Sequence, residues 1–101
     1  MQFIITAYDY TDEDALPRRM RVRPAHLENI ARVKDNGNVI CAGGITDGNG
    51  NLKGSFLVMK FDSRELLDEY LRTEPYVTEN VWQEIRVETC NVVVFGSEMR
   101  T

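Results

Sequence analysis

Residues 2–9 alternate at period two, so that Phe3, Ile5 and Ala7 can share one face of a β-strand while Ile4, Thr6 and Tyr8 share the other. A polar stretch from Asp9 to Arg23 follows and ends at Pro24, a residue suited to the first turn of a helix, where its missing N–H would go unpaired in any case. The spacing predicts a helix from there to about Asp35, with Leu27, Ile30, Ala31 and Lys34 on one stripe and Asn36-Gly37 as its stop. Two β-rich runs, Asn38 to Thr46 and Lys53 to Phe61, flank Asp47-Gly48-Asn49-Gly50-Asn51, whose residues tolerate the positive φ values of hairpin loops. Asp62 followed by Glu65 resembles a capping box, and Leu66, Leu67, Tyr70 and Leu71 form the apolar face of a second helix closed by Pro75. The run from Glu84 to Phe95 first alternates and then turns apolar on both sides through Val92, Val93, Val94 and Phe95, as in a strand covered on two faces.

Strand, helix, hairpin, helix, strand is the order of a ferredoxin-like α+β fold, βαββαβ, with a four-stranded antiparallel sheet and both helices on one face. The expected spatial order is 4-1-3-2. The whole of residues 1–95 reads as one domain, with 96–101 as a short C-terminal tail. Cys41 and Cys90 then fall on opposite edge strands, about 14 Å apart at ~4.8 Å per strand, too far for a disulfide. Two helices cover one sheet face only, yet the first and last strands carry apolar residues on both. A second copy of the chain is the simplest cover, so a homodimer is expected, with further assembly open.

Charge narrows the partners. At 101 residues and a formal net charge of −4, the field of the molecule repels phosphate backbones, and nucleic acid is not an expected partner. Arg18, Arg19, Arg21 and Arg23 cluster, but Asp9, Asp12, Glu13 and Asp14 lie just upstream. The segment therefore reads as a solvated charged stretch, or as one in which one or two arginines hold an anion. The first residues lack a signal-peptide pattern and no apolar run approaches the ~20 residues that span a bilayer, so no membrane association and a cytoplasmic location are expected.

The candidate chemistry is sparse. His26 is the single histidine. With Arg23 as N-cap it would lie in the first helical turn, where the helix dipole favours a neutral ring, the state of a general base. A lone histidine there serves equally well as an ordinary polar residue. Glu74, beside Pro75 and Tyr76, could fix the tautomer of His26 if the fold brings them together, or could be an exposed helix-end carboxylate. Gly54-Ser55 opens the third strand, where glycine allows close approach and Ser55 can donate to a substrate oxygen. Gly43-Gly44 and Gly48-x-Gly50 precede no helix and make no phosphate loop. Neither cysteine has the neighbours of a zinc or thiol–disulfide site, and no metal or cofactor is expected.

Arg23-Pro24-Ala25-His26-Leu27, Gly54-Ser55 and Glu74-Pro75-Tyr76-Val77 together resemble the YCII-related (YciI-like) family, over nearly the whole chain from Met1 to about Phe95. The resemblance implies a ferredoxin-like subunit paired sheet to sheet in a dimeric α+β barrel, and a His–Asp active site in a cleft, with His26 as the histidine. The usual Asp-Pro-Tyr is here Glu-Pro-Tyr, so the acidic role falls to Glu74. Its extra methylene displaces the carboxylate by ~1.5 Å, a shift that can cost ~100-fold in rate.

Two functional classes follow. One is a cofactor-independent enzyme of lyase or isomerase type, acting on a small oxygenated or carboxylate-bearing molecule by proton abstraction, isomerisation or elimination. It would use His26 and Glu74 as the catalytic pair and Ser55, Tyr8, Tyr76 and Arg23 as substrate contacts. The other is a non-catalytic dimer that binds a small metabolite in the same cleft. A purely structural subunit is the remaining alternative.

Overall fold

A computed structural model describes residues 1–99. Its main sheet holds four antiparallel strands in the order β2-β3-β1-β4, formed by β1 (Gln2–Asp9), β2 (Val39–Thr46), β3 (Leu52–Lys60) and β4 (Trp82–Cys90). This is the expected 4-1-3-2 arrangement, and the ferredoxin-like α+β architecture is borne out. Three helices accompany it: α1 (Ala15–Asp35), α2 (Arg64–Thr73) and a single turn, α3 (Pro75–Thr78).

The register explains the core. Phe3 lies opposite Met59, Ile5 opposite Leu57 and Ala7 opposite Ser55, so these side chains share one sheet face. That face is sealed by Val33 of α1, Leu67 and Tyr70 of α2, Tyr76 of α3, Val81 just before β4 and Trp82 at its start. At the hairpin tip, the Asp47 carboxylate accepts from the backbone N–H groups of Asn49 and Asn51, and Gly50 takes φ 84°.

The first helix departs from the expected boundary. It begins at Ala15 rather than Pro24, with Pro17 in the first turn and Pro24 well inside. Its inward stripe is Arg19, Val22, His26, Ile30 and Val33, at spacings of three and four, with Val22 and Ile30 half-buried and the others buried. Two of those positions are polar, which is why a search for apolar periodicity starts the helix too late and places Leu27 inward; Leu27 is exposed. Pro24 faces solvent, and Met20, whose carbonyl loses a helical donor to the proline, is also exposed, so water can serve it. Arg23 is thus no N-cap, and His26 stands mid-helix, beyond the reach of the N-terminal dipole.

Smaller corrections concern the second half. The N-cap of α2 is Ser63, whose hydroxyl accepts from Leu66 N–H, not Asp62. The last strand ends at Cys90. Val92 N–H donates to the Gln2 side chain, and Val94–Phe95, expected to continue that strand, turn back to pair with Glu98–Met99 of the expected tail as a separate ribbon, β5 and β6. Arg100 and Thr101 of that tail lie outside the described residues. The open face of β4 is accordingly charged, carrying Glu84, Arg86 and Glu88, and the apolar part of that face comes from β1, β2 and β3. Cys41 and Cys90 are free thiols on the opposite edge strands β2 and β4. Among the described residues no helix is long and apolar enough to cross a membrane.

Candidate active site

The site begins with the break between α2 and α3. Pro75 disfavours helical backbone in the residue before it, and Glu74 adopts φ −71°, ψ 119°, an extended conformation. The side chain therefore turns back under the helices instead of continuing along α2, and it is completely buried. Its Oε1 receives the Tyr76 backbone N–H at 3.1 Å and faces His26 Nδ1 at 2.5 Å. Its Oε2 receives the Tyr70 hydroxyl, and Asn29 Nδ2 lies at 3.4 Å. Donors on both oxygens are what a carboxylate needs when taken out of water.

With the carboxylate as acceptor, the imidazole hydrogen sits on Nδ1 and Nε2 keeps its lone pair. The ring is further fixed by stacking on Tyr76, at 3.9 Å between centroids and 10° between planes. Trp82 meets both rings edge-on. His26 lines a cavity of about 290 Å³ between α1 and the β2–β3 hairpin. Nε2 has no hydrogen-bond partner among the described residues, so the nitrogen left over from the Glu74 contact is the one available to a guest.

Ser55 forms the other side of this cavity. Its Oγ accepts from Arg19 Nη2 at 2.9 Å and from Trp82 Nε1 at 3.1 Å, which leaves its own hydrogen free to donate. Arg19 Nη1 in turn meets both oxygens of Asp9, at 2.9 and 3.0 Å, in an ion pair with both side chains buried. Burial pushes the Asp9 carboxyl above the usual range despite the neighbouring guanidinium. Burial also raises Tyr76 and, helped by the adjacent Glu74 charge, Tyr70, so both phenols stay protonated. Gly44 lies across from Ser55 on the same face, and a side chain there would collide with Leu52.

The structure thus brings His26, Glu74, Ser55 and Tyr76 together, with Arg23 exposed at the cavity lip. Tyr8 stands apart: it is exposed on the open face of the sheet, in register with Gly54 and Glu84. Arg19, Asp9, Trp82 and Tyr70 were not singled out as site residues from the sequence. Two carried a signal: Asp9 continues the phase of Phe3, Ile5 and Ala7, and Tyr70 precedes Glu74 by one helical turn. Among the described residues no group of three His, Cys, Asp or Glu side chains is placed to hold a metal ion.

The model of the YCII-related domain matches residues 1–91. The protein YciI of Escherichia coli O6:H1 is 30% identical over 94 residues, spanning 87% of this chain and 94% of that protein. The aspercryptin biosynthesis cluster protein B of Emericella nidulans is 32% identical over 94 residues, 86% of this chain but 58% of its own length. Among solved structures, the 5-chloro-2-hydroxyhydroquinone dehydrochlorinase TftG of Burkholderia phenoliruptrix, in complex with 2,5-dihydroxybenzoquinone, superposes with a TM-score of 0.80. It shares 21% identity, over 90% of this chain and 94% of that one. An antibiotic biosynthesis monooxygenase has a TM-score of 0.54 at 17% identity, over 93% of this chain and 100% of its own. At these identities the two structures speak for the fold alone.

Proposed function

Because the chain belongs to the YCII-related family, we propose that it is an enzyme that moves a proton on a small oxygenated or carboxylate-bearing molecule held in the cavity. The observation that carries this reading is His26 Nδ1 at 2.5 Å from the buried Glu74 carboxylate, with Nε2 left to the cavity. In such a pair Nε2 takes a proton from the substrate, the freed electron pair moves toward a carbonyl oxygen or expels a leaving group, and Glu74 stabilises the imidazolium that results. The proton is then returned to another atom of the substrate, giving isomerisation, or passed to solvent, giving elimination. Ser55 O–H and Tyr76 supply contacts to the substrate's oxygens. These steps use side chains alone. The dehydrochlorinase activity in the name of a protein of the same fold, and the oxygenated ring in its complex, agree with this class of chemistry.

The test is a screen of small enolisable and halogenated oxygen compounds with wild type, His26→Gln and Glu74→Gln. Loss of His26 is expected to lower kcat by about 10²–10⁴-fold, the usual contribution of a positioned acid or base. Turnover that survives His26→Gln would remove the assignment. A ligand that raises the melting temperature of wild type and His26→Gln alike, without turnover, would instead support a metabolite-binding dimer.

The open sheet face is the surface on which we expect a second copy to pack. It shows Tyr8 and Phe56 to solvent, in phase with Ile4, Ile45 and Val58, and a patch of this kind calls for a partner. Tyr8 then belongs to the interface rather than to the cavity of its own chain. Light scattering at micromolar concentration should give twice the 11.6 kDa chain mass.

A further inference from the structure

Hydrogen-bonding capacity around the cavity is left unused by the chain itself. The Tyr76 hydroxyl and the Arg19 Nε–H are buried without a partner, and both residues line the cavity. Buried donors with no acceptor are rare in native folds and call for an explanation. Arg23 at the lip adds a third. Of the four arginines between residues 18 and 23, Arg18 is held by Asp12, Arg19 by Asp9 and Arg21 by Asp14. Arg23 alone makes no ion pair or hydrogen bond among the described residues.

The sign of the lining points the same way. Two arginines line the cavity and no acidic residue does, and since Asp9 balances Arg19 it is the charge of Arg23 that is left over, in a chain whose formal net charge is −4. The nearby carboxylates are consumed elsewhere, Glu74 by His26, Tyr70 and the Tyr76 backbone and Asp9 by Arg19. A cavity of ~150 Å³ accommodates a benzene molecule, so about 290 Å³ has room for one ring with its substituents.

We propose that the cavity selects a small organic oxyanion, a carboxylate or an acidic enol or phenol in its ionised form. Arg23 receives it at the lip, and the Tyr76 hydroxyl and Arg19 Nε–H complete its hydrogen bonds inside. This rests on reading the cavity as the substrate site of the His26–Glu74 pair, and it narrows that reading to one charge class. The same donors would favour the enolate that forms when Nε2 removes a proton next to a carbonyl.

The experiment compares matched acids and amides: benzoate against benzamide, and salicylate against salicylamide. Binding is followed by amide-resonance shifts at Ser55 and Gly44 in wild type, Arg23→Gln, Tyr76→Phe and His26→Gln. The acid of at least one pair should bind about tenfold more tightly than its amide, the range of one charge-assisted hydrogen bond. Arg23→Gln should bring that ratio to within about threefold of one. Tyr76→Phe should weaken the acid several-fold without changing the amide or lowering the melting temperature, since the hydroxyl has no partner to lose.

Amides that bind as tightly as acids, no binding of either acid at millimolar concentration, or an unchanged ratio in Arg23→Gln would each overturn the proposal. Failure of the acid–base reading looks different. The acid preference would persist in His26→Gln, and turnover of whatever substrate the screen finds would persist with it.

Discussion

Two sets of charges built from the same residue types lie within a few positions of each other and behave differently. Asp12 and Asp14 hold Arg18 and Arg21 at the surface, and hydrogen bonds to these guanidinium groups keep both carboxyls below the usual range. Asp9 holds Arg19 on the buried side of the same helix, and its carboxyl is pushed up instead. The bond is of the same kind; the access of water is what changes. At the surface a pair forms because little opposes it, and salt or solvent can replace either partner. In the interior Asp9 has no side-chain hydrogen-bond partner but Arg19 among the described residues, and Arg19 without Asp9 would keep only Ser55.

Removing one partner gives the largest expected contrast. Arg19→Ala leaves Asp9 buried without its counter-ion and takes a donor from Ser55, and should cost about 3–5 kcal/mol in urea unfolding. If it costs no more than a surface substitution, the contrast between the two regions disappears. The next effect is a slope. A carboxyl whose folded pKa is raised binds its proton more readily in the native state, so its contribution to stability declines as pH rises from the unfolded value near ~4 through the higher folded one. Asp12 and Asp14 have lowered values, and their contribution is present above ~4 and fades as pH falls through the folded values. Relative to wild type, Asp9→Asn should therefore lose a declining component above pH ~4, whatever its constant offset, in denaturation followed across pH. Smallest of all, Asp14→Asn should unfold within experimental error of wild type at 0.5 M salt, and a clear loss there would show that the surface pairs act as a network.

The same distinction decides how much was legible beforehand. The strands, their order and the hairpin follow from period-two alternation and the Asp-Gly-Asn-Gly loop, signals that burial of apolar groups writes directly into the chain. The start of α1 does not, because its inward stripe opens with Arg19 and passes through His26, and these sit inside only by virtue of polar partners on other elements, Asp9 and Ser55 for the first and Glu74 for the second. His26, Glu74, Ser55 and Tyr76 were visible as residue types and as a family resemblance. Their meeting depends on how Pro75 turns Glu74 and how Asp9 and Ser55 hold Arg19, which no local window contains. Val92–Phe95 misled for the converse reason: an apolar run at a strand end looks like more strand, whereas here the chain turns away from the sheet after Cys90.

The contacts that define the cavity are also long in sequence. His26 and Glu74 are 48 positions apart, and Arg19 and Ser55 are 36. Contacts of that span form only after the loop-closure entropy of the intervening chain has been met, so they are expected late in folding, after the hairpin and helices have local structure to offer. A partly folded chain thus lacks the paired imidazole altogether, and a nascent one lacks it until most of its length has been made. Whatever the site does, it does only as a property of the finished molecule.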